Sequence, residues 1–394
     1  MSTDTLLVVR DITISGNKVT KDHIILRELP FASGDTLMAS VLPEVTARSE
    51  DNLMNTSLFN FVTVTSHRAD PFLDIQINVT ERWYIWPIPI FEHAERNFPA
   101  WLRDPEFSRL NYGLQVNWNN FRGRRELIEL KVRLGYKEQY GLMYAIPNLG
   151  RRQQHGISFG VNKFRQHEVI IKTANNEPRY LSNSDKYTYE TLTPSISYTW
   201  RPGLYFSHSV FFSYSDITFR NNQYHEEYLG VPPGTDLRWF SLSYLAEIDY
   251  RDYKFYPLKG YLLLLRLHQQ GLGLVKDFNN SKTYLTFIGA VHNKLLPRFY
   301  LGDVVKVRLT KDEVLPYYFR QGIGYNTYLR GFEYYLIDGN SYFIAVNNLK
   351  YTLIPEVKFK LNWLPMDQFS KVNFTLYGNL FFDCAAVRGA QYEY

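Results

Sequence analysis

Three stretches of this chain alternate apolar and polar residues with a period of two, and that pattern constrains the fold more tightly than anything else in the sequence. Residues 109–120 set Leu110, Tyr112, Leu114, Val116 and Trp118 against Asn111, Gly113, Gln115, Asn117 and Asn119. Residues 125–135 set Ile128, Leu130, Val132 and Leu134 against Glu129, Lys131 and Arg133, and residues 371–383 set Val372, Phe374, Leu376, Leu380 and Phe382 against Asn373, Thr375, Tyr377, Asn379 and Asp383. Successive side chains of a strand point to opposite faces. Runs this long, with charge on the polar face, fit strands that cross a bilayer around a wet lumen. A soluble sandwich would bury the apolar face against a second sheet and commonly uses shorter strands.

Composition agrees with a sheet that faces hydrocarbon: aromatic residues make up 16% of the 394 residues and charged residues 21%. The net charge of +5 is spread along the chain, so no nucleic-acid partner is expected. Cys384 is the single cysteine, which excludes an internal disulfide framework and a cysteine-rich metal site. No apolar run reaches the roughly 18 residues of a membrane-spanning helix. The start, MSTDTLLVVRDITISG, has no basic n-region followed by an apolar h-region and a small-residue cleavage site. The chain is read as either not exported or beginning after its leader.

Residues 1–82 read as a small α/β module. A strand over 6–15 leads to a turn at Gly16-Asn17, and Thr20 is the expected N-cap of a helix through Glu28. A second helix starts near Pro43 and runs to about Asn55, followed by strands over 61–67 and 73–80. The predicted order is β-α-α-β-β, with Leu6, Val8, Ile24, Ile25, Ile75 and Ile77 as its core.

From Trp83 on, helical periodicity disappears. Thirteen strands can be placed, over 83–91, 109–120, 125–135, 139–146, 155–164, 187–200, 204–217, 237–251, 259–270, 281–293, 298–310, 341–353 and 371–383. An odd count, with no strand after Gln391-Tyr-Glu-Tyr394, points to a barrel over 83–394 that is truncated at its C-terminus. The first of these strands carries Pro87 and Pro89 after Trp83. Proline cannot donate to a ladder, so this strand is a candidate weak seam. Residues 315–340 form a long segment without period, and inside a compact domain a segment of that kind reads as a functional loop. It holds Arg330, a planar fork of donors suited to a carboxylate; Gly331, which allows a tight turn or a close approach to a wall; and Phe332, an apolar anchor. Asp383 has inward parity and needs a donor.

The chain resembles the BamA/TamA superfamily of outer-membrane assembly and translocation proteins, in which POTRA domains precede a sixteen-stranded barrel. Ile14-Ser-Gly-Asn-Lys18 and Ser57-Leu-Phe-Asn-Phe-Val-Thr-Val64 are similar to a POTRA domain. Asp249-Tyr-Arg251 with Pro257-Leu-Lys-Gly260 resembles the Asp-x-Arg…Pro-x-x-Gly barrel hairpin, Leu329-Arg-Gly-Phe332 the Val-Arg-Gly-Phe/Tyr loop motif, and Phe381-Phe-Asp383 the strand whose aspartate accepts from that arginine. A glutamate is usual on the strand after the loop, whereas this chain has Asn348, an acceptor without charge. The resemblance implies a lumen-inserted loop, a seam that templates or admits client strands, a periplasmic POTRA-like domain, and unfolded outer-membrane proteins, accessory periplasmic or lipoprotein subunits and the lipid bilayer as partners.

No catalytic constellation, cofactor site or metal site is predicted. His155, His208, His268 and His292 lack ligand spacing and read as lumen polar groups, and no phosphate loop or nucleophile elbow is present. Trp83, Trp86, Trp118, Trp200 and Tyr205 near strand ends read either as interfacial girdle or as core. Two other functions stay open: a two-partner-type secretion transporter of the same superfamily, and a passive porin or receptor barrel.

Overall fold

The computed structural model describes residues 5–93, 102, 109–182, 187–221, 223–275, 281–311, 316–364 and 367–389. Gln391–Tyr394, where the sequence reading ended the barrel, and Leu315 of the long loop lie outside the described residues.

The N-terminal module runs β1 (Leu6–Ser15), α1 (Asp22–Leu26), β2 (Thr36–Met38), α2 (Leu42–Asn55), β3 (Phe59–Ala69) and β4 (Phe72–Glu81), with sheet order β2-β1-β4-β3. The expected β-α-α-β-β order misses β2, a three-residue edge strand too short to carry an alternation. The core inverts the expected parity in β1: Leu7 and Val9 are buried while Leu6 is exposed. Four consecutive apolar residues hide which parity points inward, and a bulge between Val9 and Asp11 shifts the register against β4. Ile24, Ile25, Ile75 and Ile77 are buried as expected, joined by Leu53 and Leu73. Thr20 does not cap α1. Lys21 occupies that position without a side-chain bond, and the Thr20 hydroxyl donates instead to Glu81 at 2.6 Å.

The second unit is one antiparallel sheet of thirteen strands: β5 (Ile85–His93), β6 (Leu110–Phe121), β7 (Glu126–Gly135), β8 (Lys137–Leu149), β9 (His155–Gln166), β12 (Tyr189–Trp200), β13 (Phe206–Phe219), β14 (Leu237–Asp249), β15 (Gly260–Gln270), β16 (Lys282–Leu296), β17 (Phe299–Thr310), β18 (Ser341–Lys360) and β19 (Lys371–Arg388). Sequence neighbours pair throughout, except that β9 pairs with β12 past a hairpin made of β10 (Glu168–Ala174) and β11 (Glu177–Ser182). Among the described residues no helix is long and apolar enough to cross a membrane.

Cross-strand partners share a face, and the outer face is a continuous apolar band. Leu130 stands opposite Leu142, which stands opposite Val161; further round, Val210, Tyr244, Leu267 and Leu285 follow one another. Leu130 is 47% exposed and Leu142 51%, although both sit mid-strand, so their neighbour is lipid. Leu130→Arg is therefore expected to cost about 2–4 kcal/mol of unfolding free energy in lipid. Arg133→Leu on the inner face, where Arg133 donates to Glu92 at 2.8 Å, should cost a small fraction of that. Denaturant titration of the two variants checks the assignment, and equal losses would contradict it.

Two histidines depart from the expected inward placement. Strand parity puts His155 and His208 on the outer face, flanking Trp200 across the ladders. His208 stacks on Trp200 at 5.3 Å between ring centroids, and His155 on Tyr198 at 6.0 Å. His268 and His292 lie on the inner face.

Candidate functional site

The inner wall carries a row of directly opposed residues that ties the sequence motifs together: Asp249, Leu262, Ala290, Val304, Val346 and Asp383, running from β14 to β19. Asn348, two residues from Val346, and Phe381, two from Asp383, face inward with them and oppose each other. Into this wall comes Arg330, from the loop between β17 and β18. Its Nε donates to Asp383 Oδ2 at 2.6 Å, its Nη2 to the other carboxylate oxygen, and its Nη1 to Asn348 Oδ1 at 2.8 Å. The guanidinium lies 4.0 Å from the centroid of the Phe381 ring. Fork, carboxylate, amide and aromatic face together fix its plane, a set of contacts that no ammonium could reproduce.

Gly331 has φ +84°, and no atom lies within 4 Å of where a Cβ would stand. It supplies a left-handed turn and is not a point of close approach. Phe332 is no anchor: it is 44% exposed and meets Tyr335. Leu329 takes that place, buried with Ile323, Tyr342 and Ile344. The rest of the loop is held from the side away from the N-terminal domain. Leu336 is fully buried, with its N–H donating to Asn176 O at 2.8 Å, and Thr173 in β10 donates to Asp338 at 3.0 Å. Tyr317 and Phe319 pack in a core with Val169, Tyr189, Tyr228 and Trp239, which draws on β10, β12, β14 and the short helix His225–Leu229.

The hairpin motif is a self-contained knot near this row. Arg251 grips Asp249 through Nε at 2.8 Å and Nη2 at 2.9 Å. Gly260, at φ +94°, lies so close to the Tyr250 carbonyl that a Cβ would fall 2.1 Å from its oxygen. The Pro257 carbonyl accepts from Lys350 at 2.9 Å, which joins the hairpin to β18, the strand that carries Asn348.

At the sheet's other edge, β5 pairs only with β6 among the described residues. Asn119 N–H donates to Tyr84 O at 2.7 Å, so Tyr84 and the residues two and four beyond it turn their backbone groups to β6. Pro87 and Pro89 have the opposite parity. Their nitrogens face the open edge, where two donors are thereby missing. Trp83, just before the strand, is half-exposed and meets Phe369 at 6.1 Å; Trp86 meets the same ring at 6.0 Å.

The N-terminal module is seated against the turns at one end of the sheet. The Glu28 carboxylate is buried and receives Arg201 Nη1 and Nη2, both at 2.7 Å, and Arg125 Nη1 at 3.2 Å. Arg27 donates to the carbonyls of Gln153 at 2.7 Å and Arg201 at 3.2 Å. Asn52 donates to Glu28 O at 3.0 Å and to the Tyr205 hydroxyl at 3.1 Å, so Tyr205 belongs to this junction and not to a girdle. Asn55 brackets the β14–β15 turn, donating to Asp252 O at 2.8 Å and accepting from Lys254 N at 2.9 Å. A polar cavity of about 370 Å³ lies between the two units, lined by Glu28, Arg125, Arg201, Glu247 and Arg251 among others.

The profile of the Omp85 superfamily domain matches residues 120–394, and that of the POTRA domain, a surface antigen variable number repeat, matches residues 7–82. The chain belongs to the Omp85 superfamily. Among solved structures, BamA from Haemophilus ducreyi lacking POTRA domains 1–3 is similar over 97% of this chain and 72% of its own, at 15% identity and a TM-score of 0.50. CdiB from Escherichia coli is similar over 97% of this chain and 70% of its own, at 9% identity and a TM-score of 0.53. At those identities the likeness is one of fold. No curated protein compared with the chain matches it. Omp85 proteins are outer-membrane barrels with periplasmic POTRA domains.

Sequence reasoning missed three parts of this Omp85 site. Phe381 was legible as an anomaly, because Leu380-Phe381-Phe382 breaks the alternation and puts an aromatic ring inward. The β10–β11 hairpin was signalled by Asn175-Asn176, both at positive φ, the residues that a two-residue hairpin turn favours. The Glu28 cluster left no signal, since its partners lie far away in sequence.

Proposed function

We propose that this Omp85 protein assembles other outer-membrane proteins, with residues 1–82 as a periplasmic POTRA-like module and 83–394 as the barrel in the outer membrane. Client strands are admitted or templated at the edge of β5. The observation that carries this reading is the outward placement of the Pro87 and Pro89 nitrogens. An edge without those donors pairs weakly with whatever strand closes on it, and a weak seam is where a client strand can enter by β-augmentation. The N-terminal sheet ends in β3, an open edge that offers a client or accessory subunit the same kind of pairing. The Arg330 loop stiffens the wall at β18 and β19, so that opening is confined to the seam. No step requires a nucleotide or a cofactor; client folding supplies the free energy.

A secretion transporter is the second reading, supported by a fold likeness to CdiB as close as that to BamA. The lumen favours assembly, because Arg330 and the aromatic core around Tyr317 and Phe319 stand where a secreted chain would pass. Proteoliposomes carrying the protein should accelerate insertion of an unfolded outer-membrane barrel severalfold over empty liposomes. Pro87→Val with Pro89→Val, which restores both donors, should slow insertion while raising the unfolding midpoint. Equal rates with and without the protein would end the assembly reading.

A further inference from the structure

Directly beyond the outer apolar band at its periplasmic end stand cations without counter-charges. Arg124, Arg151, Arg152, Lys294 and Arg298 are all exposed, and none has a carboxylate partner among the described residues. The turns that carry them, 122–125, 150–154 and 294–298, contain no acidic residue. At the opposite end of the barrel the exposed Arg220 pairs with Glu190, and the more buried Arg165 and Arg109 pair with Glu138 and Glu168. Exposed Arg122 at the periplasmic rim is neutralised by Glu126, whereas the five cations above are left for something else.

The surface between band and cations is amphipathic. Trp118 and Trp200 are half-exposed on the outer face, and Arg122 donates to Tyr144 OH at 2.8 Å on the same side. Leu295 and Leu296, both exposed, lie between Lys294 and Arg298. Aromatic and aliphatic groups at acyl-chain depth, followed at once by guanidinium and ammonium groups, complement a lipid that has a negative headgroup.

We propose that the turns 122–125, 150–154 and 294–298 form a headgroup-binding surface for anionic phospholipids of the periplasmic leaflet. Arg forks take the phosphodiester oxygens and the flanking apolar groups take the chains. The proposal rests on the transmembrane-barrel reading and adds lipid selectivity to it.

Spin-labelled lipids in bilayers of phosphatidylcholine with phosphatidylglycerol test it on the full chain. Labelled phosphatidylglycerol should be enriched about threefold over labelled phosphatidylcholine at the protein surface at low salt, and raising the ionic strength should remove most of that preference. Replacing Arg124, Arg151, Arg152, Lys294 and Arg298 together by Gln should abolish it, whereas Arg220→Gln with Arg238→Gln at the outer rim should leave it intact. Equal occupancy by the two lipids in the wild type, enrichment that persists at high salt, or enrichment unchanged in the fivefold variant would each overturn the proposal. The salt arm needs no variant to fold. A chain that does not enter these bilayers would overturn the membrane reading itself, whereas one that enters them without preference for either labelled lipid fails on this surface alone.

Discussion

Glu28→Gln is expected to loosen the N-terminal module from the barrel by about 3–5 kcal/mol, the usual cost of removing one side of a buried ion pair. Glu28 is 3% exposed, and Arg201, Arg125 and Arg27 all converge on it. Without the carboxylate, three guanidinium groups face one another in a half-buried junction. Burial already brings the Arg27 guanidinium down to about 10, with the Arg201 charge adding to the effect. Arg201→Gln should be milder, since Glu28 keeps Arg125 and Arg27, and the double variant should lose less than the two singles combined. Hydrogen exchange of residues 22–28 in the full chain reads the change; unaltered protection would refute it.

The same junction gives a pH dependence with two opposed signs. Burial pushes the Glu28 carboxyl up, but the hydrogen bonds and charge of Arg201, then Arg125 and Arg27, outweigh it and hold the group at about 2. Its folded value is depressed, so its contribution is present above the ordinary carboxylate range and is lost as pH falls toward 2. Asp51 behaves in the opposite way. Burial, then the nearby charge of Asp252, raises it to about 6, so the folded state binds the extra proton and gains stability as pH falls through 6. Docking from these two groups should therefore strengthen from pH 7 to about 5 and weaken below about 4. Asp51→Asn should flatten the first limb, by about 1 kcal/mol once solvent screening is allowed for.

The strands were legible because lipid imposes a demand on every second residue: Leu114, Leu130 and Phe374 are apolar for a reason that a local window contains. The β10–β11 hairpin answers to a different partner. Val169 and Ile171 bury against Tyr228 and Tyr317 above the barrel, and a seven-residue strand of that kind falls below the lengths that marked the membrane strands. In β1 the apolar run Leu6-Leu7-Val8-Val9 signalled a strand but not its parity, which only the bulge against β4 decides. Pairing of Glu28 with Arg201, 173 positions apart, follows from how two units dock. Arg330 and Asp383 are 53 positions apart, yet they came into view because parity placed one carboxylate inward and the loop offered one fork.

Arg330→Ala should destabilise the barrel more than Asp383→Ala, although the two remove the same ion pair. The difference lies in what each variant strands. The Asp383 side chain is 5% exposed, whereas that of Arg330 is 36% exposed. An aspartate left behind loses both donors and has little access to water. An arginine left behind keeps Asn348 and the face of Phe381, and can turn part of its fork to lumen water. Breaking a fully buried pair from one side costs about 3–5 kcal/mol; lumen hydration should bring Arg330→Ala toward about 2–3 kcal/mol and Asp383→Ala lower still. Arg330→Lys should fail to rescue, because one ammonium cannot reach both carboxylate oxygens and the Asn348 amide while lying flat on a ring. In the double variant the stranded carboxylate is gone, so its loss should match that of Asp383→Ala and not the sum of the two. Unfolding in lipid supplies all four corners of that cycle. Additive losses would mean that the two residues act apart, and the loop would then be held by Leu329, Leu336 and the Thr173–Asp338 contact alone.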